Sequence, residues 1–145
     1  MIIRPVKPED AKQWLSMRTA LWPDTTQAQH RKEMEFMESV ADRYAVLVCE
    51  DQESLIGFAE VSLREWAEGC TSSPVGYLEG WYVAGHARRS GVGGMLVNAA
   101  EDWARSRGCT EMASDTDLGN TVSEAAHLKL GFKVAARVVA FRKDL

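Results

Sequence analysis

Residues 86–96 read HARRSGVGGML, and this stretch decides how the chain around it folds. It follows the apolar run VGYLEGWYV at 75–83 and precedes a helical pattern that continues to about residue 107. Glycines let the backbone turn sharply, main-chain N–H groups at a helix start attract anions, and arginines add fork-shaped donors. The stretch therefore predicts a strand, a tight turn and a helix. Alone it leaves two interpretations open: a cradle for phosphate, or a solvated turn whose arginines face water.

Short apolar runs on either side predict further strands, and amphipathic segments predict helices. The predicted strands are 2–6, 44–50, 55–64, 75–83, 109–114 and 132–142, and the predicted helices are 8–22, about 26–42, about 92–107 and 119–131. The order is β-α-α-β-β-β-α-β-α-β. A helical crossover makes the fourth and fifth strands parallel, whereas the early hairpin is antiparallel. We therefore expect an α/β (α+β) fold with one mixed sheet and helices on both faces, as a single domain over residues 1–145.

Composition excludes several classes of protein. The 145 residues carry a net charge of −4, which suits a cationic substrate and disfavours a nucleic-acid binder. No secretory signal or membrane-spanning run is visible, so a cytoplasmic protein is expected. The chain has three cysteines, Cys49, Cys70 and Cys109, and no C-x-x-C motif. This pattern argues against a disulfide framework and against a zinc site. His30 and His86 lack metal-ligand spacing and are expected to face solvent.

Two common phosphate-binding motifs do not fit residues 86–96. A Walker loop ends in Lys-Ser or Lys-Thr, and neither pair occurs in this chain. A dinucleotide-binding fold needs G-x-G-x-x-G after its first strand, and the chain has neither that spacing nor that element order. A phosphate ligand at this loop would have to be bound in some other way.

The loop and a downstream element together resemble the GNAT superfamily of acyl-CoA-dependent N-acyltransferases. That family has a pyrophosphate loop of pattern [QR]-x-x-G-x-[GA] between its fourth strand and third helix, and Arg88, Gly91 and Gly93 match it. It also has an Asn on the next helix, then an aromatic residue and a Gly-Phe pair. In this chain those places are taken by Asn120, His127, Gly131 and Phe132.

Longer stretches are similar to one branch of that superfamily, the bacterial aminoglycoside 6'-N-acetyltransferases. The similarity covers the whole chain and includes SSPVGYLEGWYV (72–83), CTEMASDT (109–116), Trp22 and the terminal FRK (141–143). It implies acetyl transfer from acetyl-CoA to the 6'-amino group of aminoglycosides by direct amine attack, with antibiotic resistance as the result. It also implies a homodimer, in which the apolar strand at 134–141 pairs with a partner.

Two positions depart from that branch. Ala136 stands where the relatives carry a glutamate that lines the antibiotic site, and Trp66 stands where they tend to carry tyrosine. The loss of a carboxylate keeps open an acetyltransferase for another small amine or a peptide N-terminus. A non-catalytic acyl-CoA sensor is a third hypothesis, which the acidic residues of the expected site disfavour.

The resemblance also implies where the co-substrate binds. The pantetheine arm enters a gap between the fourth and fifth strands, where the backbone of Trp81, Tyr82 and Val83 holds it and a bulge N–H polarises the thioester carbonyl. Phosphate groups are expected at residues of the loop and at the following helix: Arg88, Arg89, Ser90, Gly91, Val92, Gly93 and Asn120.

The acceptor amine needs carboxylates, since aliphatic amines are mostly protonated at neutral pH. Glu79 and Asp115 are the candidate catalytic and substrate-binding carboxylates, and His127 is the candidate partner of the coenzyme or proton donor to the departing thiolate. Trp22 and Trp66 are expected to wall the antibiotic site. Each has a structural alternative: a solvent-facing strand residue for Glu79, a turn or cap residue for Asp115, a half-buried helix residue for His127, and core packing for Trp22. Cys109 is the candidate nucleophile of a ping-pong route, with strand burial as its expected role.

Overall fold

A computed structural model describes all 145 residues and contains a five-stranded sheet in the order β1-β2-β3-β4-β5. The strands are β1 (Ile2–Pro5), β2 (Tyr44–Asp51), β3 (Ser54–Arg64), β4 (Val75–Val83) and β5 (Met112–Ser114). The helices are α1 (Ala11–Leu21), α2 (Gln27–Ser39), α3 (Val92–Ser106) and α4 (Thr121–Lys129). Strands β1 to β4 are antiparallel and β5 runs parallel to β4, so the predicted mixed sheet is confirmed.

Local signals place the early elements. Gln52 and Glu53 both have positive φ, 48° and 67°, as a two-residue hairpin turn between β2 and β3 requires. The Thr26 hydroxyl accepts a hydrogen bond from the Gln29 N–H at 3.1 Å and so caps α2. This helix ends at Ser39, three residues earlier than its sequence pattern predicts.

The sheet is covered on both faces. Helix α3 packs its apolar stripe on one face, where Leu96, Val97 and Ala100 are fully buried against strands β2 to β4. Helices α1 and α2 cover the other face around Trp14, Val48 and Phe58. None of the helices combines the length and the apolar character that crossing a membrane requires.

The predicted sixth strand does not form, and this part of the prediction is wrong. Residues 133–145 are all exposed and make no main-chain hydrogen bonds to the sheet or to one another. An open cleft of about 1420 Å³ separates residues 133–140 from β5. Strand propensity describes a fit to a neighbouring strand, and this segment pairs with no strand of its own chain.

Charged and polar side chains are buried between α1, α2 and β3. The Trp14 Nε1–H donates to Glu60 at 3.0 Å, and the Arg18 guanidinium forms an ion pair with the same carboxylate. Arg18 also donates to His30 Nδ1 at 3.2 Å and to Glu33 at 2.6 Å. His30 is fully buried, so its predicted solvent exposure is wrong.

The hydrogen bonds of this buried cluster fix the tautomer of His30. Because Nδ1 accepts from Arg18, the proton of the neutral ring is on Nε2, which donates to the Trp22 carbonyl at 3.2 Å. Burial raises the pKa of the Glu60 carboxyl, while Arg18 and the Trp14 indole stabilise its charged form. The cluster therefore ties the end of α1 to the middle of β3.

Removing either charge of the buried Arg18–Glu60 pair leaves the other charge uncompensated. We therefore expect the two single variants together to lose more unfolding free energy than the double variant loses. Glu60→Gln keeps the side-chain shape but leaves Arg18 without its main counter-ion, so the free energy of unfolding should fall by about 3 kcal/mol or more. Urea unfolding of Glu60→Gln, Arg18→Met and the double variant measures the coupling, which we expect to exceed about 1 kcal/mol. Arg105→Ala, at a surface pair, should change stability by less than about 0.5 kcal/mol. Additive effects of the two buried changes would contradict this prediction.

Candidate functional site

Strands β4 and β5 part in the middle of the sheet. Their pairing runs from Gly76–Met112 to Leu78–Ser114, where β5 ends while β4 continues to Val83. At the same point β4 bulges, because Val61 of β3 pairs with Leu78 and Glu60 pairs with Gly80, which leaves Glu79 as the extra residue. The family resemblance implied both the bulge and the gap.

The β4 edge beyond the bulge faces this gap without a strand partner. Trp81, Tyr82 and Val83 lie along it, as predicted. The Trp81 indole packs toward α3 and donates to the Gly93 carbonyl at 3.2 Å, whereas the Tyr82 ring packs near Phe58 on the other face. With the side chains directed to both faces, the main chain of this edge can pair with an extended ligand.

The glycine loop joins this edge to α3. Gly91 is the N-cap of α3 with φ of 87°, and the space beside its Cα is open, so the left-handed backbone rather than crowding requires glycine. Arg89 also has a positive φ of 64°. Arg88, Arg89 and Ser90 are exposed, and the N–H groups of the first turn of α3 have no partner within the helix.

Three further loop contacts define its shape. The Arg88 Nε donates to the Val83 carbonyl at 3.0 Å, and the Ser90 hydroxyl donates to the Ala87 carbonyl. A Cβ at position 93 would lie 3.0 Å from the Trp81 ring, so Gly93 lets the indole close under the helix start. Val92 is buried, which leaves only its main chain for a ligand. The loop is thus a rigid, positively charged helix start that fits a phosphate group.

Asn120 has a structural role in addition to its predicted one. Its side-chain oxygen accepts from the Ser123 N–H at 3.1 Å and caps α4, while the residue itself is exposed. A contact with a coenzyme would therefore use its amide nitrogen. That contact stays a prediction.

His127 lies on α4 at the gap between the strands. Its Nδ1 is 2.7 Å from the Ser123 carbonyl, which can only accept, so the neutral ring carries its proton there. Its Nε2 then accepts from the Ser114 hydroxyl at 2.9 Å. The Trp81 ring lies edge-on at 5.2 Å from the imidazole, so His127 is both half-buried and adjacent to the opening.

Glu79 is held by its neighbours rather than left free. Its Oε2 accepts from the Ser62 hydroxyl at 2.6 Å and from the Arg64 Nε at 3.0 Å, and its Oε1 accepts from the Arg64 Nη2 at 2.7 Å. The ion pair raises the pKa of the Arg64 guanidinium. Glu79 is 22% exposed in its side chain, so it borders solvent as a compensated charge.

Asp115 follows β5 and is exposed. Its Oδ2 accepts from the Tyr77 hydroxyl at 2.5 Å, and its Oδ1 has no hydrogen-bond partner. Burial, together with the bond to Asp115, raises the pKa of Tyr77, so the phenol stays protonated and remains a donor. This geometry leaves one oxygen of Asp115 open to an incoming cation.

The two tryptophans predicted to wall a site are placed differently. Trp22 borders a cavity of about 320 Å³ together with Glu79, Glu60 and Arg18, and the Arg18 guanidinium lies 4.8 Å from its ring centre. Trp22 also packs against the core beside Phe58, which confirms the structural alternative, while its role as a wall of an antibiotic site stays a prediction. Trp66 is 68% exposed and borders neither this cavity nor the larger cleft.

Asp115 borders the larger cleft rather than the cavity beside Trp22. The 1420 Å³ cleft is bordered by Asp115, Tyr77, His127 and the tail residue Ala136. The structure therefore brings Trp22 and Glu79 together, and Asp115 and His127 together, with Arg64 and Tyr77 between the two pairs.

The structure forms neither an activated cysteine nor a metal-binding cluster at the gap. Cys109 is buried, and burial raises the pKa of its thiol, so it lacks the character of a catalytic nucleophile. No three His, Cys, Asp or Glu side chains lie close enough to hold a metal ion.

Sequence reasoning missed Ser62, Arg64, Tyr77 and Glu60. A usable signal existed for Glu60, since Arg18 occupies the apolar face of α1 and an arginine there needs a buried carboxylate. For Arg64 and Tyr77 no local signal existed, because their contact depends on the pairing of β3 with β4.

Comparisons with known proteins agree with this geometry. The family model described as "Acetyltransferase (GNAT) family" matches residues 12–132. An aminoglycoside N(6')-acetyltransferase type 1 from Klebsiella aerogenes is 53% identical over 99% of this chain and 97% of that protein. One from Serratia marcescens is 43% identical over 91% of each chain.

Two solved structures are also similar. The aminoglycoside antibiotic 6'-N-acetyltransferase from Acinetobacter haemolyticus, without ligand, superposes with a TM-score of 0.95 at 39% identity, covering 100% of this chain and 99% of that one. AAC(6')-Iy in complex with the bisubstrate analogue CoA-S-monomethyl-acetylneamine has a TM-score of 0.93 at 36% identity, covering 99% and 98%.

Proposed function

The chain belongs to the acetyltransferase (GNAT) family, and from this we propose that it transfers an acetyl group from acetyl-CoA to the 6'-amino group of aminoglycoside antibiotics. The observation that carries the proposal is the near-complete overlap, in sequence and in backbone, with enzymes named for that reaction. We infer one acetyltransferase domain over residues 1–145, acting in the cytoplasm as a resistance enzyme.

The residues around the β4–β5 gap fit this co-substrate. The positive start of α3, with Arg88 and Arg89 beside it, suits a pyrophosphate. The unpaired edge at residues 79–83 suits the amide groups of a pantetheine arm, which needs donors and acceptors along an extended path. When bound, acetyl-CoA supplies an acetyl group activated as a thioester. We infer that a main-chain N–H group of the bulge stabilises negative charge on its carbonyl oxygen.

Carboxylate side chains bind the acceptor amine and remove its proton. An aliphatic ammonium group, with a reference pKa of about 10.4, has to lose a proton before it can attack. Asp115 holds the ammonium group through its free Oδ1 and accepts that proton directly or through water. Trp22 offers an aromatic face to cationic sugar rings. His127 borders the same opening together with Ser114, where we infer that it contacts the coenzyme.

We also propose that the chain is a homodimer joined through residues 133–145. This segment carries exposed apolar side chains and unpaired main-chain groups, with Phe141 94% exposed and Val139 67% exposed. Strand β5 presents a free edge on the other side of the cleft from this segment. A second copy of this chain can satisfy both features at once. In such a dimer, the tail of each copy pairs with the free edge of β5 in the other copy.

Turnover with acetyl-CoA tests the function. We expect the protein to release coenzyme A thiol in the presence of kanamycin or tobramycin, at a kcat of about 1–1000 per second, measured with a chromogenic thiol reagent. The reaction without an amine is the blank. Absence of thiol release with several aminoglycosides would reject the proposal. Release with polyamines or peptide N-termini alone would favour another amine substrate, and tight coenzyme binding without any turnover would favour a sensor.

Asp115→Ala is expected to lower kcat by roughly 100-fold or more, since general-base catalysis contributes that much, while the Kd for coenzyme A stays within about twofold. Stopped-flow or steady-state turnover gives kcat, and calorimetry gives the Kd. Asp117→Ala, an exposed aspartate two residues further on, is the matched control and should keep normal turnover. Loss of coenzyme binding in Asp115→Ala would show that Asp115 lies at the donor site instead.

Measurement of the oligomeric state tests whether residues 133–145 form a dimer interface. We expect light scattering to give twice the chain mass of 16.1 kDa for the unaltered protein. Phe141→Asp should give a monomer at micromolar concentration, because it places a charge in the proposed interface. Val122→Asp, at an 81% exposed position on α4, should remain a dimer. A monomeric unaltered protein, or a dimeric Phe141→Asp, would count against this interface.

A further inference from the structure

Tyr77, on β4, reaches across the sheet to the end of β5. It pairs with Ala113 of that parallel strand, and its hydroxyl donates to Asp115, two residues further along, at 2.5 Å. An ionised carboxylate can only accept a hydrogen bond, so the phenol is the donor. The bond uses Oδ2 of Asp115 and leaves Oδ1 without a protein partner.

The two partners of this bond differ in how firmly they are held. Tyr77 is 7% exposed, packs with Ala113, and has the Arg64 guanidinium 3.4 Å from its ring centre. Asp115 is exposed and begins a segment, residues 115–117, that forms neither helix nor strand. An exposed aspartate on such a segment can occupy several rotamers. The hydrogen bond from a buried phenol selects one of them.

We propose that Tyr77 is a positioning residue for the acetyl transfer, because it holds the Asp115 carboxylate in one orientation, with Oδ1 open to the acceptor amine in the larger cleft. This inference rests on the proposed function, in which Asp115 binds the amine and accepts its proton. Tyr77 acts through Asp115 and not on the substrate.

A fixed orientation of Asp115 bears directly on the rate. Proton transfer requires the base within hydrogen-bond reach of the amine, directly or through one water. A carboxylate that samples several rotamers is in reach for only part of the time, which lowers kcat. Burial, together with the bond to Asp115, raises the pKa of Tyr77. The phenol therefore keeps its proton and continues to hold Oδ2 while Oδ1 meets the amine.

A double-mutant cycle of turnover tests the proposal. Tyr77→Phe keeps the ring beneath Arg64 and removes only the hydroxyl. We expect kcat with tobramycin to fall about 10-fold, while the Kd for coenzyme A stays within about twofold. In the Asp115→Ala background no carboxylate is left to position, so Tyr77→Phe should change kcat by less than about twofold. Loss of kcat by the same factor in both backgrounds would show a merely structural tyrosine. That result, or an unchanged kcat in Tyr77→Phe alone, overturns the proposal.

NMR of the three tyrosines gives a readout that needs no substrate. With an NMR-active carbon isotope at Cζ, the Tyr77 signal is the one that Tyr77→Phe lacks. In Asp115→Ala this signal should shift, because the hydroxyl has lost its acceptor, whereas the signals of Tyr44 and Tyr82 stay in place. An unshifted Tyr77 signal overturns the proposal. If the unaltered protein acetylates no aminoglycoside, the proposed function fails, and the NMR comparison decides by itself whether Tyr77 holds Asp115.

Discussion

A carboxylate buried under a helix sets the constraint on which the rest of this structure depends. Glu60 is 2% exposed and lies directly opposite Gly80, at the point where β4 bulges away from β3. Because a buried charge has to be compensated, Arg18 reaches it from α1 and His30 then orients Arg18 from α2. His30 in turn holds the Trp22 carbonyl, so one buried ion pair fixes both helices relative to the bulge.

The same face of the sheet carries a second, more exposed set of charges. Beyond Glu60, the residues of β3 on that face are Ser62 and Arg64, and they meet Glu79 on β4. The buried pair is neutral overall, and so is the pair of Arg64 with Glu79. Asp115 is left as the uncompensated carboxylate next to the gap. Burial and pairing, rather than the number of acidic residues, therefore determine which carboxylate keeps an oxygen without a protein partner.

Much of the fold could be predicted because its signals are local. The loop at residues 86–96, the cap at Thr26 and the two-residue hairpin turn each depend on a few adjacent residues. The Arg18–Glu60 pair joins residues 42 positions apart, so the local pattern around Arg18 calls for a buried carboxylate but does not specify which one. The tail shows the opposite case, in which a good strand sequence at 132–142 has no partner in its own chain. For the candidate site, the sequence pointed to Glu79 and Asp115, but it did not reveal that Arg64 pairs with Glu79.

Gly80 limits which side chains around the β4 bulge can be replaced. A Cβ at this position would clash with the Trp22 ring, so any other residue there forces the indole away from the bulge. Trp22 is itself confined by Phe58 and His30. Single mutations therefore have little freedom on this wall, whereas Trp66 and Ala136 are exposed and can change at low cost in stability. A new side chain that reshapes the larger cleft is therefore tolerated more easily at Ala136 than at the Gly80–Trp22 contact.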